Sequence, residues 1–381
     1  MANTDLENPI LMIDLPQQYQ QQQTEIDQAI AEVLQKGNFI NGQQVYQFEQ
    51  ALGNRLQINH VIGCANGTDA LQLALMTLGI GYGDEVIIPA FAYVSVAEVV
   101  VLLGATPVFV DIENDYFFID VIKVKKAVTP KTKAIIAVHL FGQTGDLATL
   151  IDIAIEKNLF LIEDNAQALG ASFTINGETK FLGNWGHLGC TSFFPTKNLG
   201  CFGDGGAIFT SSLDFENKTR MIASHGQLVK YQHNLVGINS RLDTLQAAIL
   251  QVRLKYLNAQ KEAKETIYQQ YFDGLKEVDF IILPKQNPNC QPAWHQFTIQ
   301  VKNQNRDKLK TYLAKKEIPT MVYYHIPLPA QIAYKQYNPK QVYFAIAQQT
   351  ANSVLSLPIH SGLTQKQVNF IIACIKNFEN E

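Results

Sequence analysis

Between Val61 and about Thr210, short runs of apolar residues alternate with longer windows in which apolar positions recur at helical spacing. The runs VIGC (61–64), EVIIPA (85–90), TPVFVDI (106–112), AIIAVHLF (134–141), LFLIED (159–164), CTSFF (190–194) and GAIFT (206–210) read as strands. The windows Thr68–Leu78, Val94–Leu103, Ile122–Ala127 and Asp146–Lys157 read as amphipathic helices. Strands that are apolar throughout and alternate with helices predict a mainly parallel sheet covered on both faces. Ligands of such sheets sit beyond the carboxyl ends of the strands.

Upstream, a helical pattern runs from about Glu25 to Leu34 and is broken by Gly37, Asn41 and Gly42; the polar tract QQYQQQQ (17–23) is too short to be a separate region. Downstream of 210 the pattern changes. A long helical stretch, Arg241 to Leu275, leads into a loop rich in Pro and Asn (Leu283 to Pro292). WHQFTIQV (294–301) and TMVYYHI (320–326) read as strands, RDKLKTYLAKK (306–316) and Gln365 to Asn377 as helices. The expected organisation is a large α/β domain with its N-terminal segment over 1–250 and a smaller α+β domain over 251–381. No internal repeat is visible.

Composition narrows the class. At 381 residues, 47% hydrophobic and 17% charged, the chain can bury large cores. A formal charge of −4 leaves no basic footprint for nucleic acid. The longest apolar run, Val99 to Val110, is interrupted by Gly104 and Pro107 and falls short of the ~18 residues of a membrane span. Asp5 and Glu7 stand where a secretory signal would be basic, so a cytoplasmic enzyme is expected. Five scattered cysteines without a CxxC fit neither a disulfide framework nor a zinc site, and the eight histidines form no metal-ligand pattern.

Three features carry chemistry. Asp164 ends a buried-looking strand, where an acid either caps the next helix or meets a cofactor ring. Lys197 follows Pro195 and precedes a loop holding Gly200, Gly203, Gly205 and Gly206; Ser192 lies five residues upstream. Gly67-Thr68 follows a strand and opens a helix, offering free N–H groups and a positive dipole end to a phosphate, although Asn66 or Thr68 could also act simply as a cap. An anion cradle, an acid at a strand end and a lysine on a glycine-rich loop are together what pyridoxal phosphate (PLP) chemistry requires.

CANGTDALQLAL, GYGDEVIIPAFAYVSVAEVV, KAIIAVHLFGQ, IEDNAQALGA, TSFFPTKNLGCFGDGGAIFT, HGQ, GINSRLDTLQAAIL and YYHIPLP occur in an order and spacing that resembles the DegT/DnrJ/EryC1/StrS sugar aminotransferases, from about residue 10 to 360. The resemblance implies the aspartate-aminotransferase (type I) PLP fold and a homodimer with shared active sites. It makes Lys197 the Schiff-base lysine and proton shuttle, Asp164 the pyridinium partner, and Gln167 the partner of the ring hydroxyl. Gly67, Thr68 and Ser192 would hold the phosphate, Tyr93 would stack on the ring, and Asn239 would reach the phosphate from the neighbouring subunit. Where many relatives have a histidine, this chain has Leu169.

Within the family, VHLFGQ, FFPTKNLGCFGDGGAIFT, VGINSRLDTLQAAIL and SLPIH look most like the enzymes that aminate C-3 of UDP-linked 3-keto-N-acetylglucosaminuronate in O-antigen pathways, with L-glutamate as donor. Relatives acting on the neutral UDP-3-keto-N-acetylglucosamine, or on other 3- or 4-keto nucleotide sugars, would share most of these motifs. Arg241, two residues beyond Asn239, could pair with a carboxylate or form a structural salt bridge. Tyr323 and Tyr324 fall where relatives place substrate contacts. Two rivals keep the fold. A dehydratase would have histidine at the lysine position, and a non-catalytic regulator would lose the cofactor set; Lys197, Asp164, Gln167, Ser192 and Asn239 are all present.

Overall fold

A computed structural model describes residues 8–378. Helices α1 (Leu15–Lys36) and α2 (Gln43–Leu56) precede β1 (His60–Cys64). There follow α3 (Gly67–Thr77), β2 (Glu85–Pro89), α4 (Ser95–Leu102), β3 (Thr106–Val110), α5 (Val121–Ala127), β4 (Thr132–Val138), α6 (Leu147–Glu156) and β5 (Phe160–Asp164). Next come the hairpin β6 (Ser172–Ile175) and β7 (Glu178–Phe181), then β8 (Leu188–Ser192), β9 (Gly206–Thr210) and α7 (Leu213–Ala223). A ribbon of β10 (Gln227–Val229) and β11 (Gln232–His233) leads to α8 (Thr244–Leu275). The chain ends with β12 (Ile281–Ile282), β13 (Cys290–Gln291), β14 (Phe297–Val301), α9 (Arg306–Lys315), α10 (Ala345–Ser353), β15 (Val354–Leu357) and α11 (Gln365–Lys376).

All seven expected strands of the first half join one sheet, in the order β1-β9-β8-β5-β4-β2-β3. Only β9 runs antiparallel to its neighbours, so the sheet is mixed but mainly parallel. Alternation along each strand feeds two layers. On β4, Ala134, Ile136 and Val138 pack with α3 and α4, whereas Ile135 and Ala137 pack with α6. A second core forms around β12-β14-β15, where Phe297, Ile299, Leu355 and Leu357 meet α9 and α11. Helix α8 serves both cores: Ala247, Leu250 and Leu257 pack below the large sheet, and Ile267, Tyr268, Tyr271 and Leu275 join the second core.

Several elements depart from the sequence expectation. Helix α1 begins ten residues before Glu25 and takes in the glutamine tract. The Asp14 side chain caps it by accepting the Gln17 N–H (2.9 Å). Its buried face includes Gln18 and Gln22, so a hydrophobicity pattern could not reveal it. Helix α2, buried through Val45, Phe48, Leu52 and Leu56, and helix α7 were not anticipated. Strand β4 stops at Val138 rather than 141, because Phe141 takes a left-handed conformation (φ 61°) in a tight turn. TMVYYHI is not a strand: Met321 bridges Ser356, and the chain then turns at Tyr323 and Tyr324. All five cysteines are buried. Among the described residues, no helix is long and apolar enough to cross a membrane.

Candidate active site

Strand β5 ends in two acids, and period-two alternation sends them to opposite faces. Glu163 points into the α6 layer and is completely buried. It accepts hydrogen bonds from His139 Nε2 (2.8 Å) and from the backbone N–H groups of Gly183 (2.8 Å), Trp185 (2.7 Å) and Gly186 (2.6 Å). Burial alone would raise its pKa, but His139 and these N–H donors outweigh that and hold it below the usual carboxylate range. Asp164 points to the other face, the side of Ile162 and α3, into a cavity of about 440 Å³.

That cavity brings together most of the residues singled out in the sequence: Gly67, Thr68, Tyr93, Asp164, Gln167, Ser192, Lys197, Tyr323 and Tyr324 all line it. Helix α3 aims its N-terminus at the end of β8. Asn66 caps that helix through the Asp69 N–H (2.8 Å), so the capping role and the open Gly67-Thr68 turn coexist. Gly67 has a steric reason to be glycine, since a Cβ there would come within 2.7 Å of Ser192 Cβ.

Lys197 sits in the turn after β8, its N–H bonded to the Phe194 carbonyl (2.8 Å). Burial lowers its pKa and the Asp164 charge partly restores it; burial likewise raises Asp164, against the Ala166 N–H and Lys197. The two charges sense each other without forming an ion pair, which leaves room between them. Gln167 accepts the Phe141 N–H through Oε1 (2.8 Å) and donates from Nε2 to the Tyr324 hydroxyl (3.2 Å). The left-handed turn at Phe141 therefore orients the glutamine. Tyr93, 54% exposed, flanks the mouth 6.1 Å from the Tyr324 ring.

Asn239 and Arg241 do not line this cavity. Both lie on the segment before α8, where the Ser240 hydroxyl accepts the Ala65 N–H (3.1 Å) and Asn239 bridges Ser224. Asn239 is exposed, and Arg241 makes no ion pair among the described residues. Leu169 is buried in the α2–α8 core, an apolar position rather than a cavity one. Sequence reasoning missed His295 and Gln296, which also line the cavity. Their only signal was two polar residues opening an apolar strand.

The donor set fits PLP. A carboxylate and an unpaired amine face one another across a cavity whose third side is a helix N-terminus next to a hydroxyl, closed over by glycine. The DegT/DnrJ/EryC1/StrS aminotransferase family model matches residues 20–376. The chain belongs to this family. Its aminotransferases are PLP-dependent, and solved structures of relatives carry the cofactor as PMP. The chain is 40% identical to a "Pleiotropic regulatory protein" of Geobacillus stearothermophilus (96% of this chain, 98% of the relative). It is 41% identical to the UDP-2-acetamido-2-deoxy-3-oxo-D-glucuronate aminotransferase of Pseudomonas aeruginosa (97% and 100%). The structure superposes on Streptomyces venezuelae DesV with a TM-score of 0.93 at 37% identity, covering 98% of this chain and 99% of that one. Other relatives are named for dTDP- and GDP-linked sugars. The enzyme is a sugar aminotransferase of type I PLP fold.

Proposed function

We propose that this aminotransferase moves the amino group of L-glutamate to the C-3 keto carbon of a UDP-linked 3-keto-N-acetylglucosaminuronate, for the 2,3-diamino sugars of lipopolysaccharide. It would act in the cytoplasm as a homodimer whose copies share each site. The division of labour follows from the cavity. PLP held here would supply the electron sink that amino transfer requires. Asp164 keeps a proton on the ring nitrogen. Lys197, made more nucleophilic by burial, anchors the cofactor and moves the proton at the substrate carbon. Gln167 would orient the ring hydroxyl, Tyr93 would cover the ring face, and the N–H groups of Gly67 and Thr68 with the Ser192 hydroxyl would hold the phosphate. Tyr323 and Tyr324 meet the sugar. The large unit over 1–250 supplies the cofactor side, the smaller unit over 251–381 the other wall, and α8 runs across the border between them.

The observation that carries the uronate assignment is Arg241, a half-buried guanidinium with no carboxylate partner among the described residues, two residues from the exposed Asn239. The relative named for the oxo-glucuronate supports it. The test compares the acidic UDP-3-keto sugar with its neutral counterpart, L-glutamate being the donor. Arg241→Ala should weaken use of the acidic sugar by about ten-fold or more, as expected for loss of a charged hydrogen-bonded pair, and the neutral sugar far less. Equal losses on both, or a wild-type preference for the neutral sugar, would remove the uronate reading.

A further inference from the structure

Two polar side chains of the cavity have no part in the roles above. His295 and Gln296 are 4% and 8% exposed, and both line the cavity. His295 Nδ1 and Gln296 Oε1 are buried without any hydrogen-bond partner. A buried polar atom left unpaired costs about 1–3 kcal/mol, and an apolar residue of similar size would fill the same space without that cost. Nor can the segment readily turn away. The His295 N–H is bonded to the Phe141 carbonyl (3.0 Å) and the Ala293 N–H to the Gly142 carbonyl (2.9 Å). The Ala293 carbonyl in turn accepts Asn198 Nδ2 (2.8 Å), from the neighbour of Lys197. A Cβ at Gly142 would come within 2.3 Å of the Ala293 carbonyl oxygen, so the two strands of this strap meet as closely as backbone allows. The strap thus fixes both side chains against the turn that orients Gln167.

The chemistry of the pair selects its ligand. Burial, with Lys197 and Lys264 nearby, holds the His295 imidazole well below its usual pKa, so it is neutral. A neutral imidazole offers one donor and one acceptor, and the Gln296 amide adds an acceptor oxygen and an NH2 donor, all without charge. L-Glutamate engaged through its amino group presents nothing further but carboxylates. Those are anions and call for a cation, which an uncharged pair does not supply. A sugar presents hydroxyl and acetamido N–H donors. We infer that His295 and Gln296 form a neutral hydrogen-bonding wall that grips a hydroxyl or amide N–H of the keto sugar, and so determine specificity for the acceptor and not for the amino donor. This rests on the reading of the cavity as a keto-sugar site.

The experiment separates the two half-reactions on the holoenzyme, following the cofactor absorbance first with L-glutamate and then with a UDP-3-keto sugar. Gln296→Met and His295→Phe should keep the cofactor band and the glutamate half-reaction within about two-fold. Each should need about ten-fold more sugar for the return half-reaction, the loss expected when one buried hydrogen bond is removed and its partner left unpaired. Calorimetric titration with the UDP-amino sugar should weaken by the same factor, while UDP alone binds as before. His295→Asn, which keeps a polar atom near Nδ1, should recover most of the affinity; it also serves as the probe if the phenylalanine variant fails to fold. An equal loss on glutamate, or an unchanged sugar half-reaction, overturns the inference. If the wild type itself fails to return with any UDP-3-keto sugar, the UDP assignment falls instead. The same two half-reactions run with a dTDP-linked keto sugar then decide the inference independently.

Discussion

Lys197 and Asp164 push against their own burial. Removal from water drives the amine toward its neutral form and the acid toward its protonated form, and each charge partly reverses the other's shift. This balance suits a lysine that must be nucleophilic and an acid that must meet a cationic ring nitrogen. Lys197→Ala should therefore bind added PLP without the yellow band of the lysine-bound cofactor and show no steady-state transamination, since among the described residues no other lysine lines the cavity. Turnover surviving in that variant would remove its assigned role. These residues were legible in the sequence because Asp164 ends an apolar run and Lys197 follows the CTSFF run and Pro195, ahead of a glycine-rich loop. His295 and Gln296 were not, because they lie almost a hundred residues beyond Lys197 and reach the cavity only through the Phe141–Ala293 strap.

At the level of elements, β5 shows why adjacent acids have different duties. Glu163 gathers four donors from the loop after β7 and from His139, fastening the strand end to the layer behind it. Its pKa is lowered in the folded state, so its contribution to stability is present above the ordinary glutamate range and is lost as pH falls through the folded value. Glu163→Gln, which turns a donor toward donors, should cost about 2–4 kcal/mol in chemical denaturation at neutral pH and blunt the acid sensitivity of unfolding. On α8, Lys264 donates to Asn198 Oδ1 (2.8 Å), and burial with Arg253 nearby lowers its pKa to about 8. Between pH ~8 and ~10.5 the unfolded chain holds more protons at this site, so stability rises with pH across that window. Melting curves of Lys264→Met should lack this rise and start higher at neutral pH; a variant that tracks the wild type throughout would show that the lysine carries no burial penalty. Hydrophobic periodicity revealed β1–β5 and most of α8 because their cores are apolar. It missed the first turns of α1, whose buried face is glutamine, and misread TMVYYHI, whose aromatic residues turn into the cavity instead of pairing along a strand.

For the whole molecule, the distribution of site residues matters most. Asn239 and Arg241 stand outside the cavity of their own chain, next to an exposed ribbon bearing Leu228, Val229 and Tyr231. If they serve the site of a second copy, an inactive variant and an impaired one should complement each other. Mixing Lys197→Ala with Arg241→Ala should restore acidic-sugar turnover, because a hybrid dimer contains one site with both the lysine and the arginine. Mixtures whose acidic-sugar turnover is no more than the sum of the two parents' would place Arg241 in its own chain's site, or in none. The two cores are joined by one continuous rod, α8, 32 residues long and so roughly 48 Å. A rod of this kind behaves like a screw. Lengthening it by a single residue between Leu257 and Ile267 would advance everything beyond by about 1.5 Å and rotate it by about 100°. That would swing the wall bearing His295 out of phase with Lys197 while leaving each core internally intact. The sugar-facing and cofactor-facing halves are thus tuned to each other by the angular pitch of one helix, and a single-residue insertion there would separate recognition from chemistry without unfolding either half.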